Sequence, residues 1–572
     1  MSIVIGIDLG TSTTEAAVYR GGKKEMLLNL EGTAVTPSAV GIDERGNWVV
    51  GERARAQYLL SPENTAIEVK RKTGSGQTVQ LGRGRYQPQE LQSRLLSYVR
   101  TYASEYLGES VERAVISVPA YFNELQRRET IRAGELAGFS VERILNEPTA
   151  AALSYGLEHM DEESHVLVYD LGGGTFDVTL LEMFDGVLEV KASSGDNQLG
   201  GKDFDEALMD WLFRRFQEQH GKDLRKDRYA AAKVKEEAER CKIALSREER
   251  YHILIPAIST LGGGPVELEE TVTRAQFEEL TRELLERTHH PIDVVLQDAE
   301  ISEREIDRVI LVGGSTSMPM VRADIADYLG IEPECAVNPE YAVAEGAAVQ
   351  AAIITGEIDA EDGLILTDVN PYTLGISTAD DGFGDCMSVV IPRNVTIPVT
   401  REKEYCTFWD DQTCVSVEVY QGESSIASHN HFLGSFLIEG IPPGPAGREK
   451  LNVQFAYDLN GLLKVSATIR ATGKSASIQI HMTGEPEEEA KPEVDYSQWK
   501  KAPGARAYRT LIRTAERWLA KEDDPRLTRQ LRDELRATLV ELKKALVLED
   551  EESAEDLRAQ VEDILDIVRT GQ

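Results

Sequence analysis

Two glycine-rich segments, GIDLGTSTT at residues 6–14 and VYDLGGGTFDVT at residues 168–179, each carry an aspartate at the end of an apolar strand, followed by a tight turn with hydroxyls. Glycine lets backbone N–H groups face phosphate oxygens with no Cβ in the way, and Thr11, Ser12, Thr13 and Thr175 add hydroxyl donors. Asp8 and Asp170 are placed to face Mg²⁺, which keeps several waters and usually takes only one or two carboxylates. Either loop alone reads as well as a hairpin turn. The repetition weighs against that: residues 5–10 parallel residues 167–172, and each set precedes a further strand, at 15–19 and at 177–182. The expected chemistry is ATP hydrolysis between two similar halves that close on one nucleotide.

Holding two such loops face to face requires more than one core, and at 572 residues three or four domains are expected. From residue 1 to about 360, short apolar strands alternate with amphipathic helices, with helix signals at 88–106, 123–137, 203–219, 228–245 and 274–299. LILTD at 364–368 is a short apolar segment between acidic flanks, expected as an interdomain linker within 361–370. Residues 371–484 are β-rich. There Val415, Val417 and Val419 alternate with Ser416, Glu418 and Tyr420, and Asn460-Gly461 marks a hairpin turn between strands at 452–459 and 462–471. A β-sandwich fits. Residues 484–493, GEPEEEAKPE, read as a linker, and residues 485–572 as linker plus helical tail. In that tail Leu527, Leu531, Leu535, Leu539, Leu542 and Leu546 share one helical face, and Leu557, Val561, Ile564, Leu565 and Val568 another.

A net charge of −36 argues against nucleic acid and anionic membrane surfaces as partners. Five cysteines, Cys241, Cys335, Cys386, Cys406 and Cys414, show neither a C-x-x-C pair nor zinc-ligand spacing and read as free thiols of a reducing compartment. With no membrane-length apolar run and no basic lead-in to the N-terminal one, a cytoplasmic protein is expected, as a monomer.

Further motifs accompany the loops: VPAYFNELQRRET at 118–130, NEPTAAALSYGL at 146–157, LVGGSTSMPMV at 311–321 and NPEYAVAEGAAVQAA at 338–352. With these in their order the chain resembles, almost end to end, the seventy-kilodalton heat-shock chaperones, the DnaK family. The compressed stretch between Lys70 and Val118, with ILTDVNPYTLGIS and FAYDLNGLLKV, is most similar to the shorter bacterial HscC branch. The resemblance implies a multidomain α/β plus all-β plus α architecture: an actin-like ATPase domain over 1–360, a linker, a β-sandwich that grips extended peptide, and a short helical lid. It implies ATP/ADP and Mg²⁺ as ligands, with K⁺ a candidate companion ion, and peptide clients, a J-domain co-chaperone and a nucleotide-exchange factor as partners.

Residue by residue, the resemblance gives Asp8 and Asp170 the hydrated metal, and Gly10, Thr11, Ser12, Thr13, Gly172, Gly173, Gly174, Thr175, Gly200 and Gly201 the phosphates. Lys70, Glu147, Asp177 and Thr175 would surround the attacking water, since phosphoryl transfer needs positioning and charge neutralisation more than a strong base. By itself the KRK run around Lys70 reads as a solvated face, and Glu147 before Pro148 as a turn cap. Glu239, Lys242 and Ser246 (i, i+3, i+7 on a helix), Gly313, Gly314, Ser315 and Glu340 would take the adenosine. By spacing alone, the helix residues read as surface ion-pair formers.

Two positions depart from the family: Ser317 stands where an arginine is usual, and Glu340 where an aspartate is usual. A weaker grip on adenine is expected from Ser317. Ile376, Ala379, Tyr405, Phe408, Val415 and Val417 would line the peptide cleft, with Ala379 and Phe408 arched over it; their bland reading is sandwich core. Arg143, Asn146, Leu364, Ile365, Leu366 and Asp368 would couple the domains. The rival functions are a client-specific regulator on the same fold, an actin-like filament protein and a small-molecule kinase. The last two have no use for the segment after residue 364.

Overall fold

The computed structural model describes residues 3–479 apart from 158, 160–162, 185, 262–263, 335–337, 359–364 and 381–382, together with Trp499, 505–519, 529–547 and a few positions between 554 and 565. Contacts divide the chain into two compact units, Met1–Pro486 and Glu487–Gln572.

Within the first unit the duplication visible in sequence becomes a duplicated sheet. Val4–Leu9 runs parallel to Arg113–Val118 and antiparallel to Thr13–Arg20; Ser164–Leu171 runs parallel to Arg308–Val312 and antiparallel to Phe176–Phe184. Each glycine loop is therefore the tight turn between the same two strands of its own sheet. Strands buried on both faces read as near-continuous apolar runs, and Ile5 and Ile7 on one face with Val4 on the other, like Leu167 and Tyr169 with Val166 and Val168, are buried. Two helices, Glu147–Gly156 and Ala342–Thr355, pack against each other behind the sheets. A Cβ on Gly346 would lie 1.6 Å from the Ala150 carbonyl oxygen, so only glycine permits this approach.

The expected helices form, with one correction. The segment 274–299 is two helices, Arg274–Glu286 and His289–Ala299. Pro291 is the reason: it lacks the N–H that would continue the first helix, and its ring would meet the Arg287 carbonyl, yet it is tolerated in the opening turn of the second.

The sandwich consists of two four-stranded antiparallel sheets. One orders Phe383–Ile391, Leu374–Asp380, Cys414–Gln421 and His431–Glu439; the other orders Val399–Cys406, Lys450–Tyr457, Leu463–Ile469 and Ser475–Gln479. Asn460-Gly461 turns the hairpin between Lys450–Tyr457 and Leu463–Ile469, with Gly461 at φ 72° and the Asp458 carboxylate accepting from the N–H groups of Asn460 and Leu462.

In the second unit, helices Ala505–Leu519 and Arg529–Val547 share a core of Ile512, Ala515, Leu535, Leu539, Leu542 and Leu546, and Leu557, Val561, Ile564 and Leu565 belong to the same cluster. Leu527, Val568 and the linker at 484–493 lie outside the described residues, as do Cys335 and the side chain of Leu531. Cys241, Cys406 and Cys414 carry free thiols. Among the described residues no helix is long and apolar enough to cross a membrane.

Candidate nucleotide site

The two glycine loops converge on a cavity of about 320 Å³ between the duplicated sheets. Its lining includes Asp8, Gly10, Thr11, Ser12, Thr13, Asp170, Gly172, Gly173 and Thr175 from the loops, Lys70 and Glu147 between them, Glu239, Lys242 and Ser246 from one helix, and Gly313, Gly314, Ser315, Ser317 and Glu340 from the far wall. The loops touch: a Cβ on Gly173 would sit 2.2 Å from the Ser12 hydroxyl. Gly313, at φ 83°, brings its wall within 2.4 Å of the Leu171 carbonyl oxygen, counted from the Cβ it lacks.

Charge dominates this cavity. Lys70 is only 5% exposed and donates to Glu147 Oε1 at 2.5 Å, with its ammonium 5.7 Å from the Phe122 ring centre. The KRK run is thus a short turn, Val69–Lys72, driven between the lobes: Arg71 donates to the Gly174 carbonyl and forks onto both oxygens of Asp203. Glu147 opens the helix Glu147–Gly156, with Pro148 in its first turn.

Asp8 accepts from the Ser117 hydroxyl at 2.8 Å, yet burial and then Glu147 push it up to about 7 against the pull of Lys70 and Ser117. Burial and then Glu147 likewise push Asp177 up to about 7, although it accepts the Tyr121 N–H at 3.0 Å. Asp170 is raised by burial, Glu147, Asp177 and Asp8. So is Glu15, by burial and by Asp8, which it faces across the strand pair. Buried Glu15, Glu147, Asp170 and Asp177, with half-buried Asp8, cluster about Lys70, and that excess of negative charge wants a cation. Asp8 and Asp170, one from each loop, fit Mg²⁺, which keeps several waters and usually takes only one or two carboxylates.

Some expected residues stand behind the cavity wall. Asp177 is buried beside Lys70 and Glu147, Gly174 carries the Arg71 contact, and Gly200 and Gly201 brace the second loop, the Gly201 N–H donating to the Gly172 carbonyl. Lys242 donates to the Gly201 carbonyl at 3.0 Å and to Asp205 at 2.9 Å, and Ser315 to the Gly172 carbonyl at 2.9 Å. Glu239 pairs across the cleft with Arg55, which also reaches Glu236. A second clasp runs from Glu68 to Lys202 and Lys235.

The coupling candidates form a contiguous path. Ile365–Val369 adds a parallel strand to Val187–Asp196 of the second sheet, and Asp368 accepts from the Asn146 amide at 3.0 and 2.9 Å. Asn146 directly precedes Glu147 and takes a hydrogen bond from Arg127 at 2.7 Å. Arg143 donates to Gln350, not to Asp368. Leu366 pairs in register with Leu188 and Ile365 with Val187, while Leu364 lies outside the described residues.

A profile of the Hsp70 protein family matches residues 4–80 and 76–571. The chain belongs to the Hsp70 family. Two relatives, each named "Chaperone protein DnaK", are 46% identical to it. That of Thermosipho africanus (strain TCF52B) aligns over 479 residues, 83% of this chain and 79% of the relative. That of Thermotoga neapolitana (strain ATCC 49049 / DSM 4359 / NBRC 107923 / NS-E) aligns over 480 residues, 83% and 80%. Membership in Hsp70 accounts for a two-lobed ATPase followed by a β-sandwich and a helical region, and implies a bound nucleotide with Mg²⁺.

In Hsp70 terms, the peptide-cleft candidates split into two groups. Ile376 and Val417 are buried in the sandwich core, and Tyr405 and Val415 pack against it partly covered. Ala379 and Phe408 are exposed, Phe408 at 44% with its ring edge-on to the still more exposed Trp409.

Sequence reasoning missed the seam between the nucleotide lobes and the sandwich. There the Tyr372 hydroxyl donates to the Tyr121 carbonyl at 2.8 Å, Arg393 and Asn394 hold Asp298, and Asn460 accepts the Ile144 N–H at 3.0 Å. It also missed Glu15 and Arg247 in the cavity lining. Only Asn460 carried any local signal, as a turn residue.

Proposed function

We propose that the chain is an ATP-driven chaperone that binds and releases extended apolar peptide segments, with an actin-like ATPase domain over 1–360, a linker at 361–370, the sandwich over 371–484 as the peptide domain and the helices beyond 485 as a short lid. One observation carries the reading. The segment joining the two functions is itself a strand of the sheet whose glycine loop lines the cavity, hydrogen-bonded through Asp368 to the residue before Glu147.

In this reading, Asp8 and Asp170 hold the waters of Mg²⁺, which supplies charge neutralisation at the phosphates when bound. Backbone N–H groups of the two loops, with Thr11, Ser12 and Thr13, cradle the phosphates. Lys70 neutralises charge developing at the terminal phosphate and holds Glu147 in place. Glu147 and Asp177 accept hydrogen bonds from the attacking water, and the Thr175 hydroxyl positions it. Hydrolysis loosens the cleft, frees Asp368 from Asn146 and releases the linker strand, and the sandwich then closes on peptide through Val415, Tyr405 and the exposed Phe408. Co-chaperones that act here are a J-domain protein at Arg143, Asn146 and Asp368 and an exchange factor; K⁺ is a companion ion. The HscC-type assignment belongs to the same proposal.

A steady-state ATPase assay with apolar peptides and J-domain proteins tests the reading. Stimulation by either is expected. Hydrolysis that responds to neither, but phosphorylates a small molecule or accompanies filament growth, would overturn it.

A further inference from the structure

Five residues of the helix Arg228–Leu245 and its C-terminal turn face the cavity: Glu239, Lys242, Ile243, Ser246 and Arg247, at i, i+3, i+4, i+7 and i+8. The first two are already engaged, Glu239 by Arg55 and Lys242 by Asp205 and the Gly201 carbonyl, and the Ser246 hydroxyl donates back to the Lys242 carbonyl. Arg247 differs. Its backbone N–H is tied to the Ala244 carbonyl at 2.9 Å, which fixes where the side chain starts, but among the described residues its guanidinium has no ion pair and no hydrogen bond. It lines the cavity together with Ile243, Gly314, Ser317 and Met318.

Ile243 and Met318 bring no charge to a cavity whose lining includes Asp8, Glu15, Glu147 and Asp170. Ile243 and Met318 offer apolar surface, Gly314 has open space where a Cβ would be, and Ser317 has no plane to stack. A guanidinium is planar and weakly hydrated, and it binds aromatic faces by stacking and cation–π attraction better than an ammonium does.

We propose that Arg247 lies over the base of the bound nucleotide and supplies, from the helix wall, the cation that Ser317 cannot supply from the opposite wall. This rests on the ATPase reading above. It reverses the expectation that Ser317 leaves the base loosely held: the cation is present, but on a different element. It also puts the base contact on the helix that Arg55 clasps through Glu236 and Glu239, so opening the cleft and uncovering the base become one movement.

Dissociation of fluorescently labelled ADP from the full-length protein, chased with unlabelled ADP, tests this alongside equilibrium binding of unlabelled ADP and of adenosine. Arg247→Ala should speed ADP release about three- to thirtyfold. It should weaken ADP and adenosine by the same factor, because the contact is to the base. Arg247→Lys should recover only part of the loss, since the charge returns without the plane. Ser317→Arg should rescue the Arg247→Ala protein and change wild type little.

Release from Arg247→Ala within twofold of wild type would overturn the proposal. So would a loss seen with ADP but not adenosine, which would assign Arg247 to phosphate, or a Ser317→Arg effect equally large in both backgrounds. A wild-type protein that fails to hold ADP would instead overturn the ATPase reading itself, and this inference with it.

Discussion

In the first half of the nucleotide-binding lobes the third strand of the sheet, Lys23–Met26, is short, charged and terminal; in the second half its counterpart, Val187–Asp196, is long, and the linker strand Ile365–Val369 pairs with it. Inward of these strands the parallel partner, the antiparallel hairpin and its glycine loop are matched. An exposed strand edge invites another strand, and lysines on a short edge discourage one. The halves therefore specialise at their rims. The first is finished with charge, while the second is left able to accept the strand Ile365–Val369. A duplicated fold can divide labour in this way without altering the loops that both copies contribute to one cavity.

The largest effect should come where the halves agree, at the ion pair that sits between their loops. Lys70→Ala should cut single-turnover hydrolysis by a factor of about 100 or more, since one positioned charge in such a site is worth about that much, while ADP binding stays within a few-fold. Hydrolysis within a few-fold of wild type would mean that the shared cavity does its chemistry with other groups.

Next should come the rim that differs. Thr367→Pro removes a strand N–H on the side of Val187–Asp196, the side on which the Ile365 N–H donates to the Gly186 carbonyl, and proline is excluded from interior positions of a sheet. ATP-triggered peptide release should slow by more than tenfold while basal hydrolysis persists. Unchanged release kinetics would show that the linker strand is not the route of communication.

Asp368→Ala tests a single contact on the same rim. It removes the acceptor of two Asn146 hydrogen bonds in a buried setting, a loss of about 1–3 kcal/mol of docking. It should therefore slow release less than the proline does. A larger effect than that of Thr367→Pro would put the weight of docking on the side chain and not on the strand.

How legible all this is from sequence depends on the range of the forces involved. Both glycine loops, the strand after each and most helix bounds follow from local periodicity and turn chemistry, so they read directly. The single helix expected over 274–299 fails because the apolar pattern continues across Pro291 while the backbone cannot. Lys70 and Glu147 read locally as a solvated run and a turn cap; they become the centre of the cavity only when two distant lobes close around them, and the family resemblance alone picked them out. Asn460, Tyr372 and Arg393 had no such help, because a seam between domains leaves no period in either partner. Arg247 was hidden for another reason: its neighbours Glu248, Glu249 and Arg250 make it look like one more surface charge.

The smallest effect should come from the first half's own contact with the sandwich, which is made by side chains and a turn instead of a strand. Glu124 pairs with Arg128 and is buried near Leu463 and Asp458 of the sandwich. Burial there pushes its carboxyl from an ordinary 4.5 up to about 7, against the pull of Arg128 and the Leu463 N–H. Undocked and hydrated, it would return toward the ordinary value. The docked form thus holds the proton more tightly, so docking is favoured below the ordinary value and weakens as pH rises through about 7. Between pH 6 and 8 the docking equilibrium should fall about tenfold. Asp368 is raised in the same direction, chiefly by burial. Fluorescence transfer between labels on the two domains would report it, and Glu124→Gln should flatten the profile. Docking that strengthens with pH would show that the first half contributes no such proton-linked contact.

Asn146 and Glu147 are neighbours in the chain, about 3.8 Å apart between Cα atoms, and Pro148 restrains the backbone immediately after them. A relay through many side chains loses motion to each rotamer it passes. Here the part that faces the cavity and the part that grips the linker strand share one rigid peptide plane, so the joint has almost no play. The same stiffness removes independence. A substitution that retimes hydrolysis by shifting Glu147 also shifts the grip on Asp368, and tuning one without the other requires changes at the far ends of the lever, in Lys70 or in the linker strand.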